Sequence, residues 1–478
     1  MSRSIRADRR TNFLLPPSIE ELIPKDDPVR FVADVVAQMD LVAMGFKDPD
    51  PSSPGAPAFS AELLLSIWLY GYMRRIRSTR QLETACRERI TLLWLTGMLY
   101  PDHNTLWRFF RAHRPQLRTV FRNLLVAAHR AGLVGMVLHA LDGTKLQAAC
   151  STDTALHRPA LEQLLKELDD AIEKIERQIC DTEAQESGEV RLSEQLSNAQ
   201  ARREQIQKAL AQLAEHETAH LHPTEPEATV VGFRDGGKRL GYNAQAVADE
   251  NQLIVAEHVE AQPTDQGMLT PMLDQVVANL GERPERTAID AGYVSAEHIA
   301  SAHEHEHALV VAPGSLIHSQ HDPSNPYDKS HFTYDPTQDV YVCPEGKLLP
   351  AERLTRSRKG HAQLMVYRCH AKDCPVRTQC TSDRTGRTIR RSPDDRAMQR
   401  QREQQDRDPD SVGIYARRKA VIEPVFAVIK AIDGFRRFTM RGLESARAQW
   451  SLICSAYNLR KLLHFWRAGR FDPVAAFS

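Results

Sequence analysis

The chain has no run of about 18 uninterrupted apolar residues, the length a membrane helix requires, and this argues against a membrane partner. Its first ten residues are polar and arginine-rich, without the apolar stretch of a secretory signal. Eight cysteines in 478 residues are too few for a disulfide scaffold and point to a reducing cytoplasm. An excess of either charge is missing as well, since 62 Lys and Arg balance 62 Asp and Glu. What remains is an ordinary globular composition, 42% apolar and 26% charged, in a chain long enough for about two to four domains.

The zero net charge conceals a strong segregation. Residues 74–130 carry twelve arginines against three acids, and residues 415–447 carry eight Lys and Arg against three. Residues 161–217 reverse the balance, with fourteen acids against seven bases. Phosphate attraction is felt over roughly one Debye length, so local charge matters more than the total. Two basic regions around an acidic one suit a polyanion that touches only parts of the molecule; solvated helix faces are the alternative.

Texture divides the chain. Residues 1–30 form a polar, proline-rich lead-in, and residues 27–133 are helical in pattern, with Ser78 opening a capping box and Asn104 placed to cap the next helix. Short helices, tight turns and exposed arginines suit a helix-turn-helix type of DNA-binding module, residues 1–133. From residue 134 strands are expected: 136–141 with a hairpin partner at 145–150, then 242–248 and 252–259 around a turn at 249–251. Thr264 and Asp265 can cap a helix running to residue 280; a strand ends at Asp290, a helix starts near Ser295, and residues 308–312 form another strand. Two interruptions stand out. Leu161, Leu165, Leu168, Ile172, Ile175 and Ile179 follow heptad spacing, which resumes after Ser187 and Gly188, predicting an antiparallel helical hairpin over 160–217. A polar stretch covers 313–409, and the closing helices begin near Val412. With both set aside as insertions, residues 134–478 read strand-strand-strand-helix-strand-helix-strand-helix, the order of a ribonuclease-H-like α/β domain following an all-α N-terminal domain.

Three carboxylates occupy telling places in that order. Asp142 and Asp290 each end an apolar run, and Glu423 lies on a predicted helix among Val421, Ile422, Val425, Phe426 and Ile429. Its rivals are weaker, because Glu403 sits in a polar linker and Glu444 lies beyond a glycine-containing break. Rigid carboxylates could converge on two hard cations, which supply the charge neutralisation and in-line geometry that phosphoryl transfer needs. Gly143 and Gly292 beside the aspartates would let a DNA backbone approach. Lys430, Arg436, Arg437 and Arg441 could hold its phosphates, while Pro424 should kink the helix or mark its first turn.

Cys343, Cys369, Cys374 and Cys380 cluster in the polar stretch, either holding a structural zinc, with His370 as a spare ligand, or standing reduced in a small β-rich insert. Cys86, Cys150, Cys180 and Cys454 lie in apolar patterns and read as packing residues. His303, His305 and His307 read as a polar helix end.

The residues 142–145 (Asp, Gly, Thr, Lys), 290–293 (Asp, Ala, Gly, Tyr) and the string Tyr415, Arg418, Glu423, Lys430 resemble the DDE transposases of bacterial insertion sequences. The resemblance covers most of the chain, including residues 242–245 before the second aspartate. It implies that Asp142, Asp290 and Glu423 bind two magnesium (or manganese) ions, and that Tyr415, Arg418 and Lys430 grip an element's end. It further implies double-stranded DNA as partner, both element ends and target, a homodimer on DNA, and a cytoplasmic, nucleoid-associated protein. In the family's signature the arginine stands four residues before the glutamate; here Lys419 has that place and Arg418 precedes it, so either can be the gripping residue. A related nuclease without strand transfer and an inactive DNA-binding protein are the rival readings.

Overall fold

A computed structural model describes residues 18–47, 59–151, 158–181, 186–215, 222, 224–233, 235–312, 325–356, 363–392 and 394–478. Among the described residues six helices come first: α1 (Pro28–Ala37), α2 (Ala61–Met73), α3 (Thr79–Glu88), α4 (Ile90–Thr96), α5 (His103–Ala112) and α6 (Arg114–Arg130). The first turn of a helix leaves backbone N–H groups without partners, and side chains take them here. Val29 N–H donates to Asp27 (2.8 Å), Leu63 to Ser60 (3.3 Å) and Thr105 to Asp102 (2.7 Å). Two caps differ from expectation. Ser78 makes no capping bond, and the extended Asp102, not Asn104, caps α5, which has already begun at His103.

The central sheet contains β1 (Leu138–Gln147), β2 (Thr229–Gly232), β3 (Lys238–Asp249), β4 (Ile254–Glu260), β5 (Arg286–Ile289) and β6 (Leu309–Val311). β3 pairs antiparallel with β1, β4 and the short β2, which the sequence did not suggest; β5 and β6 continue parallel on the other side of β1. The parallel crossovers run through α9 (Leu269–Leu280) and α10 (Ala296–Glu304). One expectation fails: residues 145–150 are no hairpin partner of 136–141. β1 runs through Asp142 in unbroken register with β3, from His139 opposite Asp249 to Gln147 opposite Gly241. Asp142 is therefore mid-strand, at the point where the pairing with β5 stops at Leu141 and Ile289.

The acidic segment forms α7 (Arg158–Asp181) and α8 (Glu186–Glu215). They pack through Leu161, Ile206, Ala209 and Leu213, a small core of their own, with Arg203 paired to Asp169. Ser187 and Gly188 lie inside α8 rather than in the turn, and residues 182–185 lie outside the described residues, as do the side chains of Ile179 and Cys180.

The polar stretch folds as a second sheet of β7 (Thr333–Asp335), β8 (Val340–Val342), β9 (Leu348–Arg356), β10 (Gln363–Arg368) and β11 (Thr388–Arg391), antiparallel throughout, with α11 (Arg377–Cys380) before its last strand. Helix α12 (Asp395–Arg407) follows and has almost no apolar face. Its side-chain amides hold it instead: Gln401 donates to Leu309 O (2.9 Å), while Gln405 donates to Val311 O (2.8 Å) and accepts from Val311 N (2.9 Å). Those bonds satisfy the free edge of β6, which would otherwise be open to another strand.

The chain closes with α13 (Ser411–Ala427), α14 (Leu443–Arg467) and α15 (Pro473–Phe477). Pro424 lies inside α13 and frees the carbonyl four residues back, that of Ala420, which accepts from Gln252 Nε2 (3.1 Å) instead. The helix then widens into a π-turn over Val428–Ile432. α13 packs on β1, β3, β5 and β6, and α14, buried on nearly all sides along most of its length, packs on β4, α2 and α6. One apolar core thus runs from Leu65 and Trp68 of α2 through Leu141 of β1 to Trp450 of α14. No helix among the described residues is long and apolar enough to cross a membrane.

Candidate active site

β1 and β5 are adjacent and parallel, so the residues at the end of their pairing become neighbours although 148 positions separate them. Asp142 accepts the Gly143 N–H through Oδ1 (2.8 Å), and Asp290 accepts the Ala291 N–H (2.8 Å) as the cap of a short 3-10 turn, Ala291–Tyr293. Arg418, on the inward face of α13, lies against both, with Nη1 at 3.4 Å from Asp142 and Nη2 at 3.8 Å from Asp290. It is 5% exposed, and its Nε and Nη1 have no hydrogen-bond partner among the described residues. Burial raises the Asp142 carboxyl above its ordinary value, while Arg418 and the Gly143 N–H pull it back. Two fixed carboxylates thus share one buried positive charge, and hard oxygen donors that draw a cation between them are the donor set that magnesium takes.

The reverse face of the sheet holds a fourth acid that the sequence suggested only as a helix cap. Alternation along β1 sends Gly143 and Lys145 to the face opposite Asp142, and opposite them in register stand Gln245 and Asn243 of β3. Asp265 Oδ1 collects bonds from Asn243 Nδ2 (2.8 Å), Gln245 Nε2 (2.8 Å) and Lys145 Nζ (3.4 Å). Helix α9 begins only at Leu269, after Met268, so Asp265 does not cap it. A methyl group on Gly143 would stand 2.5 Å from Asp265 Oδ1, and one on Gly292 would stand 3.2 Å from Oδ2. The two glycines therefore make room for this carboxylate, which is a different use from the approach of DNA that the sequence suggested.

Glu423 is exposed on α13, and its oxygens with those of Asp142 and Asp290 do not all lie within 4.8 Å of one another. Of the basic residues, Lys419, Arg436, Arg437 and Arg441 are exposed, and Tyr415 is half-buried with the Arg418 guanidinium 5.9 Å from its ring. Lys430 lies in the π-turn and donates to the Lys145 carbonyl (3.0 Å), while Arg437 Nε donates to the Ala148 carbonyl (3.1 Å), fastening this segment to the end of β1.

Cys343, Cys369 and Cys380 pack against the small core of the second sheet, Phe332, Tyr341, Leu349, Tyr367 and Ile389, and Cys374 lies in electrostatic range of Cys380. Burial raises the Cys380 thiol, with the other three sulfurs adding to the effect. No three of these sulfurs lie within 4.8 Å of one another. Cys86, Cys150 and Cys454 are buried in the main core, as their pattern suggested. Asp274 of α9, His305 and His307 do meet that spacing: His305 Nδ1 and His307 Nε2 stand 2.9 and 2.8 Å from the carboxylate. The polar helix end at these histidines is therefore a tie between α10 and α9.

Two protein families match the chain. The transposase DDE domain matches residues 342–463, and a second transposase domain matches residues 17–112. The first match contains Glu423, Arg418 and the four clustered cysteines; the second spans α1 to α5; neither reaches Asp142 or Asp290. No curated protein and no solved structure gives a match.

Proposed function

We propose that the chain is a DDE transposase of insertion-sequence type, a metal-dependent enzyme that cuts and transfers DNA strands, and that Asp142, Asp290 and Glu423 hold its two magnesium ions. The single observation that carries this reading is Arg418, whose guanidinium faces two aspartates from distant parts of the sequence. Bound cations would neutralise the scissile phosphate and activate first water and then a freed 3′-hydroxyl. The chain's own groups supply the rest. Asp142 is fixed by the pairing of β1 with β3, one residue past the end of its pairing with β5, and Asp290 by its bond to the turn it caps. Glu423 enters on the family match and on its helix, five residues from Arg418, or about 7.5 Å along the axis at the usual rise.

Arg418 faces inward and Lys419 outward, which favours Lys419, with Tyr415, Lys430, Arg436, Arg437 and Arg441, as the grip on DNA and leaves Arg418 to balance the carboxylates. The strand order β4-β3-β1-β5-β6 supports a ribonuclease-H-like catalytic domain over 134–478, carrying a helical hairpin (160–217) and a polar insert (313–409) behind a helical DNA-binding domain over 1–133. Bringing two element ends together favours a homodimer on DNA. For the four cysteines, the separation of their sulfurs favours reduced thiols over zinc.

The experiment is cleavage of a duplex carrying the sequence that flanks the coding region. Wild-type protein should nick it with magnesium and yield joined target products, and Asp142→Asn should do neither while still binding DNA. Nicking without joined products would select the nuclease reading, binding without nicking the inactive one, and unchanged nicking by Asp142→Asn would remove the site assignment.

A further inference from the structure

A chain of three side chains leads from Asp265 to the turn that carries Asp290. Asp265 Oδ1 accepts from Gln245 Nε2 at 2.8 Å, which turns the other end of that amide, Oε1, toward the Tyr293 hydroxyl, its donor. Tyr293 closes the 3-10 turn that Asp290 caps, and its N–H donates to the Asp290 carbonyl (3.2 Å). Gln245 and Tyr293 are fully buried, and the Gln245 backbone carbonyl accepts from Trp450 Nε1 (3.0 Å), which holds the strand in place at this residue. Without an acceptor at Oδ1, nothing among the described groups fixes which end of the Gln245 amide faces Tyr293.

The arrangement costs stability. Asn243 donates to Thr264 O (3.1 Å) as well as to Asp265, which leaves its fully buried Oδ1 without a partner among the described residues. An unpartnered buried oxygen is destabilising, and two glycines are needed to seat the acid at all. Stability alone would not select such a set.

We propose that Asp265 is a positioning residue for the cation site: it orients Gln245, which holds Tyr293, which fixes Asp290. This rests on Asp290 being a cation ligand. Partners of metal ligands typically contribute ten- to a hundred-fold to metal affinity. The role predicts a graded and non-additive series. Asp265→Ala should weaken Mn²⁺ binding by about ten- to a hundred-fold. Asp265→Asn, which keeps an acceptor oxygen, should lose less. Tyr293→Phe removes only the hydroxyl and should match Asp265→Ala, and the double variant should bind no more weakly than either single one, as expected for two residues acting through one path.

The test is Mn²⁺ binding to the full chain by electron paramagnetic resonance, with DNA affinity and melting temperature alongside. Additive losses in the double variant, or Mn²⁺ affinity within twofold of wild type in Asp265→Ala, would overturn the proposal. Should Asp265→Ala not fold, Asp265→Asn and Tyr293→Phe form the same cycle. Asp142→Asn separates the two levels: if it too binds Mn²⁺ normally, the cation site itself is misplaced, whereas if it loses binding and the Asp265 series does not, only the positioning role fails.

Discussion

Replacing Arg418 with methionine removes the positive charge between Asp142 and Asp290 and keeps an unbranched side chain in its buried place. At an effective dielectric of about 20, charges 3.4 Å and 3.8 Å apart attract by about 5 and 4 kcal/mol before desolvation. Burying the guanidinium offsets much of that, and Asp290, whose side chain is 46% exposed, is partly screened by water. The net destabilisation should be about 2 kcal/mol, less than the ~3–5 kcal/mol of breaking a fully buried pair. The same change should tighten divalent cation binding, because no fixed charge then competes for the two carboxylates. The effects are linked: saturating Mn²⁺ should raise the melting temperature of Arg418→Met by more than it raises that of the wild type. Thermal unfolding with chelator and across a Mn²⁺ titration at neutral pH reads both. A variant that binds Mn²⁺ no more tightly than wild type, or that melts identically in chelator, refutes the reasoning.

Gly143→Ala would place a methyl 2.5 Å from Asp265 and 2.6 Å from Gln245, so it should cost about 1–3 kcal/mol in denaturant unfolding and lower Mn²⁺ affinity. Glu260 is held at about 2 by hydrogen bonding to His258 and to the Ala261 N–H and by the charge of Arg447 on α14. Its contribution is therefore complete above the unfolded value of 4.5 and lost as pH falls toward 2. Glu260→Gln should lose about 1–2 kcal/mol at neutral pH, allowing for screening, with the gap closing below pH 4.5. Protein purified without added metal should carry no stoichiometric zinc, by mass spectrometry of the native chain; one zinc per chain that is lost on changing Cys374 to serine would reverse the reading of the cysteines.

How much of this was legible depended on where each residue's partners lie in the chain. Asp290 could be read because an apolar strand stops at it. Asp142 stands out in the sequence for a partly mistaken reason: the apolar run stops there, yet the strand continues through Gly143, Thr144 and Lys145, held by backbone pairing to β3 that no side-chain pattern announces. The apolar residues around Glu423 predicted its helix correctly but not its facing, which packing settles by turning Arg418 inward. α12 has no apolar periodicity because glutamine bonds to the β6 backbone do the holding. Asp265 left no signal beyond a possible cap, since its partners Asn243 and Gln245 become neighbours only when β3 pairs with β1.

Glu423 is where the two-metal reading is most exposed, and iron-directed cleavage of the full chain bound to end DNA tests it directly. Fe²⁺ with ascorbate cuts the backbone beside the residues that hold the ion. The expected result is cutting next to Asp142, Asp290 and Glu423, suppressed by magnesium and lost at the third position in Glu423→Gln. Cutting beside the two aspartates with none near Glu423, or cutting confined to Asp274, His305 and His307, would contradict it.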